Sequence, residues 1–284
     1  MSVPAEAFFL PADSGQRFCL FYPAQAGTIR GQVLYIHPFA EEMNKARRMA
    51  ALQSRALAAA GFDVLQIDLL GCGDSSGDFG DATWNDWVND VVHGCRWLRS
   101  RSNTPATGQG NVPLWLWGLR AGCLLAVDAA SQLGEACSFL FWQPPASGKP
   151  LLQQFLRLKV AGDMLSGQSK GVMENMRAQL AQGTPVEVAG YMLSTGLVCG
   201  LEQAVLAPPV GTGGAHRLEW FELSTREGVG VSPISAKTIA QWQQAGVAVG
   251  NHFVRGPAFW QTSEIEDAPA LIAATTAALS SSSA

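Results

Sequence analysis

The chain of 284 residues lacks an uninterrupted apolar run near the ~20 residues that a membrane-spanning helix needs. No transmembrane segment is therefore expected. Its first residues, MSVPAEAFFLPADSG, have no basic start followed by an apolar core and a small-residue cleavage site, so a secretory leader is not expected either, and a cytoplasmic location is the matching expectation. The six cysteines (Cys19, Cys72, Cys95, Cys123, Cys137, Cys199) form no Cys-x-x-Cys pair and the four histidines stand apart. That scatter offers no zinc spacing and no disulfide framework; the thiols read as small buried side chains in a reducing compartment, and neither a metal nor another cofactor is expected. Positive charge is also in short supply. Lysine and arginine number 19 against 23 acidic residues, a net charge of −4 with no basic cluster, which argues against nucleic acid as a partner. No internal repeat is found, and a homo-oligomer is left open.

What is present is alternation. From Arg30 onward, short β-branched or apolar runs alternate with longer helical patterns, the arrangement that gives an α/β fold with a mostly parallel central sheet flanked by helices on both faces. The pattern predicts strands over Gln16 to Pro23, Gly31 to Pro38, Phe62 to Leu69, VPLWLW and Cys137 to Pro144. It predicts helices over MNKARRMAALQSRALAAAGF, ended by Gly61, over TWNDWVNDVVHGCRWLRS with Thr83 as N-cap, and over AGCLLAVDAASQL. After residue 144 the alternation stops. LLQQFLRLKVAGDML, GVMENMRAQLAQG and VEVAGYMLSTGLVCGLEQAVL read as apolar helices before the strands RLEWFEL and AGVAVGNHFV and the helix EDAPALIAATTAAL. The expected organisation is a core of 1–144 and 215–279, a helical cap or lid at 145–214 inserted between the sixth and seventh strands, and a disordered tail at 280–284.

In such a sheet, ligands sit beyond the carboxyl ends of the strands. Four segments leave those ends: HPFAEEMNKARR, DLLGCGDSSGDFGD, WGLRAG and VRGPAFW. The glycines Gly71, Gly73 and Gly77 do not make a dinucleotide fingerprint, because the last is one position late and no helix opens on the turn. Taken in order, HPFAEEMNKARR, DLLGCGDSSGDFGD, WGLRAG, FWQP and GPAFW resemble the α/β-hydrolase superfamily over nearly the whole chain, and more narrowly the exosortase A system-associated hydrolase, type 2. That resemblance implies the fold and a setting in bacterial exopolysaccharide and protein-sorting loci; it implies no particular substrate.

Hydrolysis in that superfamily needs a nucleophile, a histidine and a carboxylate. All three seats are altered here. Position 120, the nucleophile's, is arginine, which keeps its proton and cannot attack a carbonyl. ELSTREGVGVSP offers only Glu227 as a stand-in acid, and His252 falls inside a predicted strand rather than on the loop. The backbone donors, the N–H of Ala121 and one near Phe39, remain available beside the arginine. A helix N-terminus plus a guanidinium fork suits a carboxylate or phosphate, with Glu41 or Glu42, taken as lying on the preceding loop, orienting Arg120. The alternative is that the same pairing simply seals a dead pocket.

Further candidates around Arg120 are His37 as a residual catalytic group, Leu119 at the elbow, and Arg47, Ser75 and Trp260 with Phe259 along the walls. Asp68 is expected to hold its loop; Ser76, Cys72, Cys123, Asn44, Lys45, Arg48 and Glu264 are weaker candidates. The apolar cap either packs onto the sheet domain or shelters an acyl or polyprenyl chain whose anionic head faces Arg120. The expected partner is thus a small-molecule or lipid-linked anionic ligand. Three functions compete: binding or processing of an anionic envelope-biogenesis intermediate, an active esterase-, thioesterase- or acyltransferase-like enzyme with a non-standard site, and a non-catalytic scaffold.

Overall fold

The structure, a computed structural model, describes residues 4–25, 27–102, 112–165, 171–209, 217–226, 228 and 230–281, with the side chains of 102 and 163–165 left aside. Two antiparallel strands, β1 (Glu6–Pro11) and β2 (Gln16–Tyr22), lead into β3 (Gly31–Ile36), helix α1 (Glu41–Ala59) and β4 (Phe62–Ile67). Helix α2 (Trp84–Ser102), β5 (Leu114–Leu119), α3 (Ala121–Leu133) and β6 (Ser138–Trp142) follow. After an insertion come β9 (Arg217–Ser224), α7 (Pro233–Gln244), β10 (Ala248–Arg255) and α8 (Pro269–Ser281). The eight-stranded sheet runs β1-β2-β4-β3-β5-β6-β9-β10 and is parallel from β4 to β10.

Strands β3 and β5 are buried along their whole length, as a parallel strand covered on both faces must be. Alternation decides which face each side chain serves. Leu34 and Ile36 join the core with Trp87 and Val91 of α2 and Leu124 of α3. Val33 and Tyr35 join the opposite core with Met49 and Leu57 of α1 and Leu271 of α8. Helix α2 starts with a reciprocal cap: Asp86 N–H donates to Thr83 Oγ1 at 3.2 Å while Thr83 N–H donates to Asp86 Oδ2 at 2.9 Å. The buried Arg17 of β2 donates to the buried Asp90 of α2 at 2.7 Å, and Asp90 also accepts the Leu70 N–H at 2.8 Å, tying the sheet margin to the glycine-rich loop.

Between β6 and β9 lie α4 (Gly148–Leu165), α5 (Val172–Ala181), β7 (Val186–Val188), β8 (Tyr191–Leu193) and α6 (Thr195–Gln203). The apolar run expected to be one helix from Val186 onward is therefore a hairpin followed by a short helix. Ala189 (φ 50°) and Gly190 (φ 84°) both take positive φ, the requirement of a two-residue hairpin turn whose twist matches its strands. Ser194 then caps α6, its hydroxyl accepting the Leu197 N–H at 3.0 Å. Helix α7, which the sequence reading did not assign, opens in the same way on Ser232 followed by Pro233. Ser280 and Ser281, expected in a disordered tail, belong to α8; 282–284 lie outside the described residues.

Candidate functional site

The turn from β5 to α3 is an elbow. Arg120 sits there with φ 55° and ψ −116°, its N–H donating to the Trp142 carbonyl at 3.0 Å and its own carbonyl accepting the Cys123 N–H at 3.0 Å. Only glycine fits on either side: a methyl group at Gly118 would overlap the Cys123 backbone, and one at Gly122 would overlap the Ile36 carbonyl oxygen of β3. The neighbouring strand repeats the device, for Ala40, between β3 and α1, has φ 50° and ψ −123°. Gln143, at the end of β6, is a further non-glycine residue of positive φ (47°), held by its N–H to the Phe221 carbonyl at 2.8 Å and by its side-chain oxygen, which accepts the Leu223 N–H at 2.9 Å. Each such conformation costs about 1–3 kcal/mol, and their meeting at the carboxyl ends of β3, β5 and β6 marks the crevice as a place where the fold holds strain.

Glu41 and Glu42 belong to the first turn of α1, not to a loop, so the helix fixes where each points. Glu42 is the partner of Arg120: its Oε1 accepts from Nε at 3.3 Å and from Nη2 at 3.2 Å. Nη2 also donates to Oε1 of Gln154 on α4 at 2.9 Å, while Nη1 has no partner among the described residues. The Trp260 ring lies 5.8 Å from the guanidinium carbon. Both charged side chains are largely buried, Arg120 being 14% and Glu42 10% exposed. Burial pushes the Glu42 carboxyl up to about 7, against the pull of Arg120 and Lys45 and with a further push from Glu41. Glu41 is also raised, first by burial, and its Oε2 is a buried oxygen without a hydrogen-bond partner.

These groups line a small, partly open cavity of about 40 Å³, walled further by Phe39, Leu151, Phe155 and Leu158. Phe39 meets Phe155 edge-on at 5.2 Å, so α4 forms part of the roof directly over the elbow. The volume holds about three waters or one small head group.

Several expected site residues are elsewhere. Arg47 does not line the cavity; it pairs with Asp68 at 3.1 Å, and Asp68 in turn accepts the Asp74 N–H at 3.2 Å, so both serve the glycine-rich loop. Ser75 is likewise not a ligand-facing hydroxyl, because it donates to the Asp68 carbonyl and accepts the Phe18 N–H. Ser76 accepts the Gln16 N–H. His37 is buried with Nδ1 on the Pro38 carbonyl at 2.8 Å and Nε2 accepting the Leu69 N–H at 3.4 Å, and burial lowers its pKa, so it stands as a neutral brace between two loops. Leu119 is fully buried in the core, and Trp260 lies behind the arginine rather than on the cavity wall. Ala121 opens α3, where first-turn N–H groups lack helical acceptors.

His252 lies within β10, stacked on Phe221 at 4.3 Å and 2.5 Å from Glu219, itself bonded to Arg217. Burial would raise the Glu219 carboxyl, but these two partners hold it below its ordinary value. Glu227 lies outside the described residues. Cys72 and Cys123 are buried thiols driven far up by burial, which removes them as nucleophiles. Glu264 is exposed and apart from the cavity. Among the described residues no group of His, Cys, Asp and Glu is placed to hold a metal ion, and no helix is long and apolar enough to cross a membrane. The sequence reading missed Gln154 and the apolar residues of α4. Nothing in LLQQFLRL distinguishes the glutamine that meets Arg120 from its neighbour.

The strand order, the elbow and the crossover helices define an α/β-hydrolase fold. Solved structures agree over nearly the whole chain. Est1E from Butyrivibrio proteoclasticus with bound ferulic acid is 15% identical, with a TM-score of 0.63 over 97% of both chains. A soluble variant of monoglyceride lipase from Saccharomyces cerevisiae is 16% identical, with a TM-score of 0.61 over 98% of this chain and 96% of that one. An alpha-beta serine hydrolase homologue from Coxiella burnetii is 13% identical, with a TM-score of 0.56 over both chains in full. In sequence, human Protein ABHD12B is 29% identical over 123 residues, which is 43% of this chain and 31% of that protein. No protein-family model matches the chain.

Proposed function

We propose that this α/β-hydrolase-fold protein binds a small anionic ligand, a carboxylate or a phosphate, at Arg120 in place of serine-type hydrolysis. The observation that carries this reading is a permanently charged guanidinium on the nucleophile elbow, oriented by Glu42 and Gln154 yet keeping Nη1 without a partner among the described residues. The elbow's helix N-terminus adds its own preference for anions. The apolar wall of Phe39, Leu151, Phe155 and Leu158 suits a short acyl or prenyl portion behind the charged head. The resemblance noted from the sequence motifs would set this role in the cytoplasm, in an exosortase-linked exopolysaccharide system, on an envelope-biogenesis intermediate.

Isothermal titration of octanoate and of inorganic phosphate into wild type and Arg120→Ala, at pH 6.5, tests the reading. At least one of the two should bind the wild type, with a loss of tenfold or more in the variant, in line with a charge-assisted pair. Equal affinities would end it.

A second reading has one observation in its favour: a buried carboxyl at about 7 is suited to general-base work near neutral pH, so Glu42 could activate a water for hydrolysis. A panel of esters and thioesters separates the two, since turnover abolished in Glu42→Gln would favour the enzyme.

A further inference from the structure

Resting on the anion-binding reading, we infer that the ligand's head is zwitterionic, with an ammonium group a few ångströms from the carboxylate or phosphate that meets Arg120. Unsatisfied groups of opposite kind lie on residues that line the cavity. Nη1 of Arg120 is a donor without a partner among the described residues, and Oε2 of Glu41 is a buried acceptor without one. Both residues line the same small space. A plain carboxylate would answer the arginine but leave the Glu41 oxygen unpaired, and would set a third carboxylate beside Glu41 and Glu42. Burying an unpaired polar group is costly, and a like charge at close range adds to the cost.

An ammonium placed against Glu41 removes both penalties. The charges already present favour the same answer: Glu42 is engaged with Arg120, while Glu41 has no ion-pair partner among the described residues, and Lys45 and Arg120 act on it only at a distance. Gln154, the remaining polar wall residue, is neutral and already accepts from Arg120. The apolar residues of α4 then face the rest of the molecule, which gives the class: an α-amino acid or a phosphate-linked amine carrying an apolar chain.

The test compares octanoate, octylamine and 2-aminooctanoate by isothermal titration at pH 7.5 in wild type, Arg120→Ala, Glu41→Leu and Glu41→Gln. In the wild type, 2-aminooctanoate should bind at least about tenfold tighter than either single-charge compound. In Glu41→Leu its advantage over octanoate should vanish. Glu41→Gln, which keeps an acceptor but loses the charge, should retain only part of it and serves if the leucine variant does not fold by circular dichroism. Octanoate binding that depends on Arg120 but is within twofold of 2-aminooctanoate would overturn the inference while leaving the anion site standing. Loss of Arg120 dependence for every compound would overturn both.

Discussion

Glu42 should make the protein less stable as pH rises through neutrality, and the size of the effect follows from its burial. The folded carboxyl keeps its proton up to about 7, whereas the unfolded one releases it near 4.5. Between those values the folded state binds more protons than the unfolded state, so the stability contributed by the neutral acid is complete below pH 4.5 and is lost as pH passes 7. The difference amounts to about 3 kcal/mol. Glu41, Asp63, Asp90 and Asp128 are raised as well, mainly by burial, and bend the wild-type curve in the same direction. The effects of Asp63, Asp90 and Asp128 cancel when wild type is compared with Glu42→Gln, and Glu41, coupled to Glu42, is the exception. Urea unfolding of both proteins across pH 4.5 to 8.5 should therefore give near-equal stabilities at the acid end. At the alkaline end the glutamine variant should be ahead by about 3 kcal/mol. A gap that stays constant across the range, or that opens in favour of the wild type, would refute the claim that Glu42 is buried at a cost its arginine does not cover.

Gly122→Ala drives a methyl into the Ile36 carbonyl where neither backbone can yield, and should lower the denaturant midpoint by an amount matching about 3 kcal/mol or lead to insoluble protein. Arg17→Met strands Asp90 as a buried carboxylate; a loss of about 3–5 kcal/mol is expected by urea unfolding at pH 7, with much of it recovered in the double variant with Asp90→Asn. Of the six cysteines only Cys199 is exposed, so a thiol reagent should modify one site quickly in the native protein and the rest only after unfolding. Arg120→Ser puts a hydroxyl on the elbow with no histidine beside it among the described residues, and ester hydrolysis by the purified variant should stay at background; clear turnover would show that Glu42 serves it as a base.

The chain's own pattern was enough to place seven of the eight strands that build the sheet, β1 being missed, because one buried face or two is a local property that repeats along a few residues. Gly118 and Gly122 were legible too, as was the arginine between them, since a strand that turns at once into a helix has room only for glycine where the backbones touch. Other features depended on contacts between distant segments. Which of Glu41 and Glu42 meets Arg120 is settled by the rotation of α1, and the lining role of Gln154 by how α4 crosses the elbow. Arg47 and Ser75, polar and near the right loops, were drawn instead to Asp68 and the Phe18 N–H, because a buried carboxylate and a tight loop must be satisfied before any ligand. The hairpin at Ala189 and Gly190 hid within an apolar run that suits a helix as well as a strand, and only the positive φ of its turn distinguishes them. The sequence alone put an arginine in the nucleophile's seat; the packed fold chose its partners and, among the described residues, left donors and acceptors around it open, because hydrogen-bond completion is decided by elements far apart in the chain.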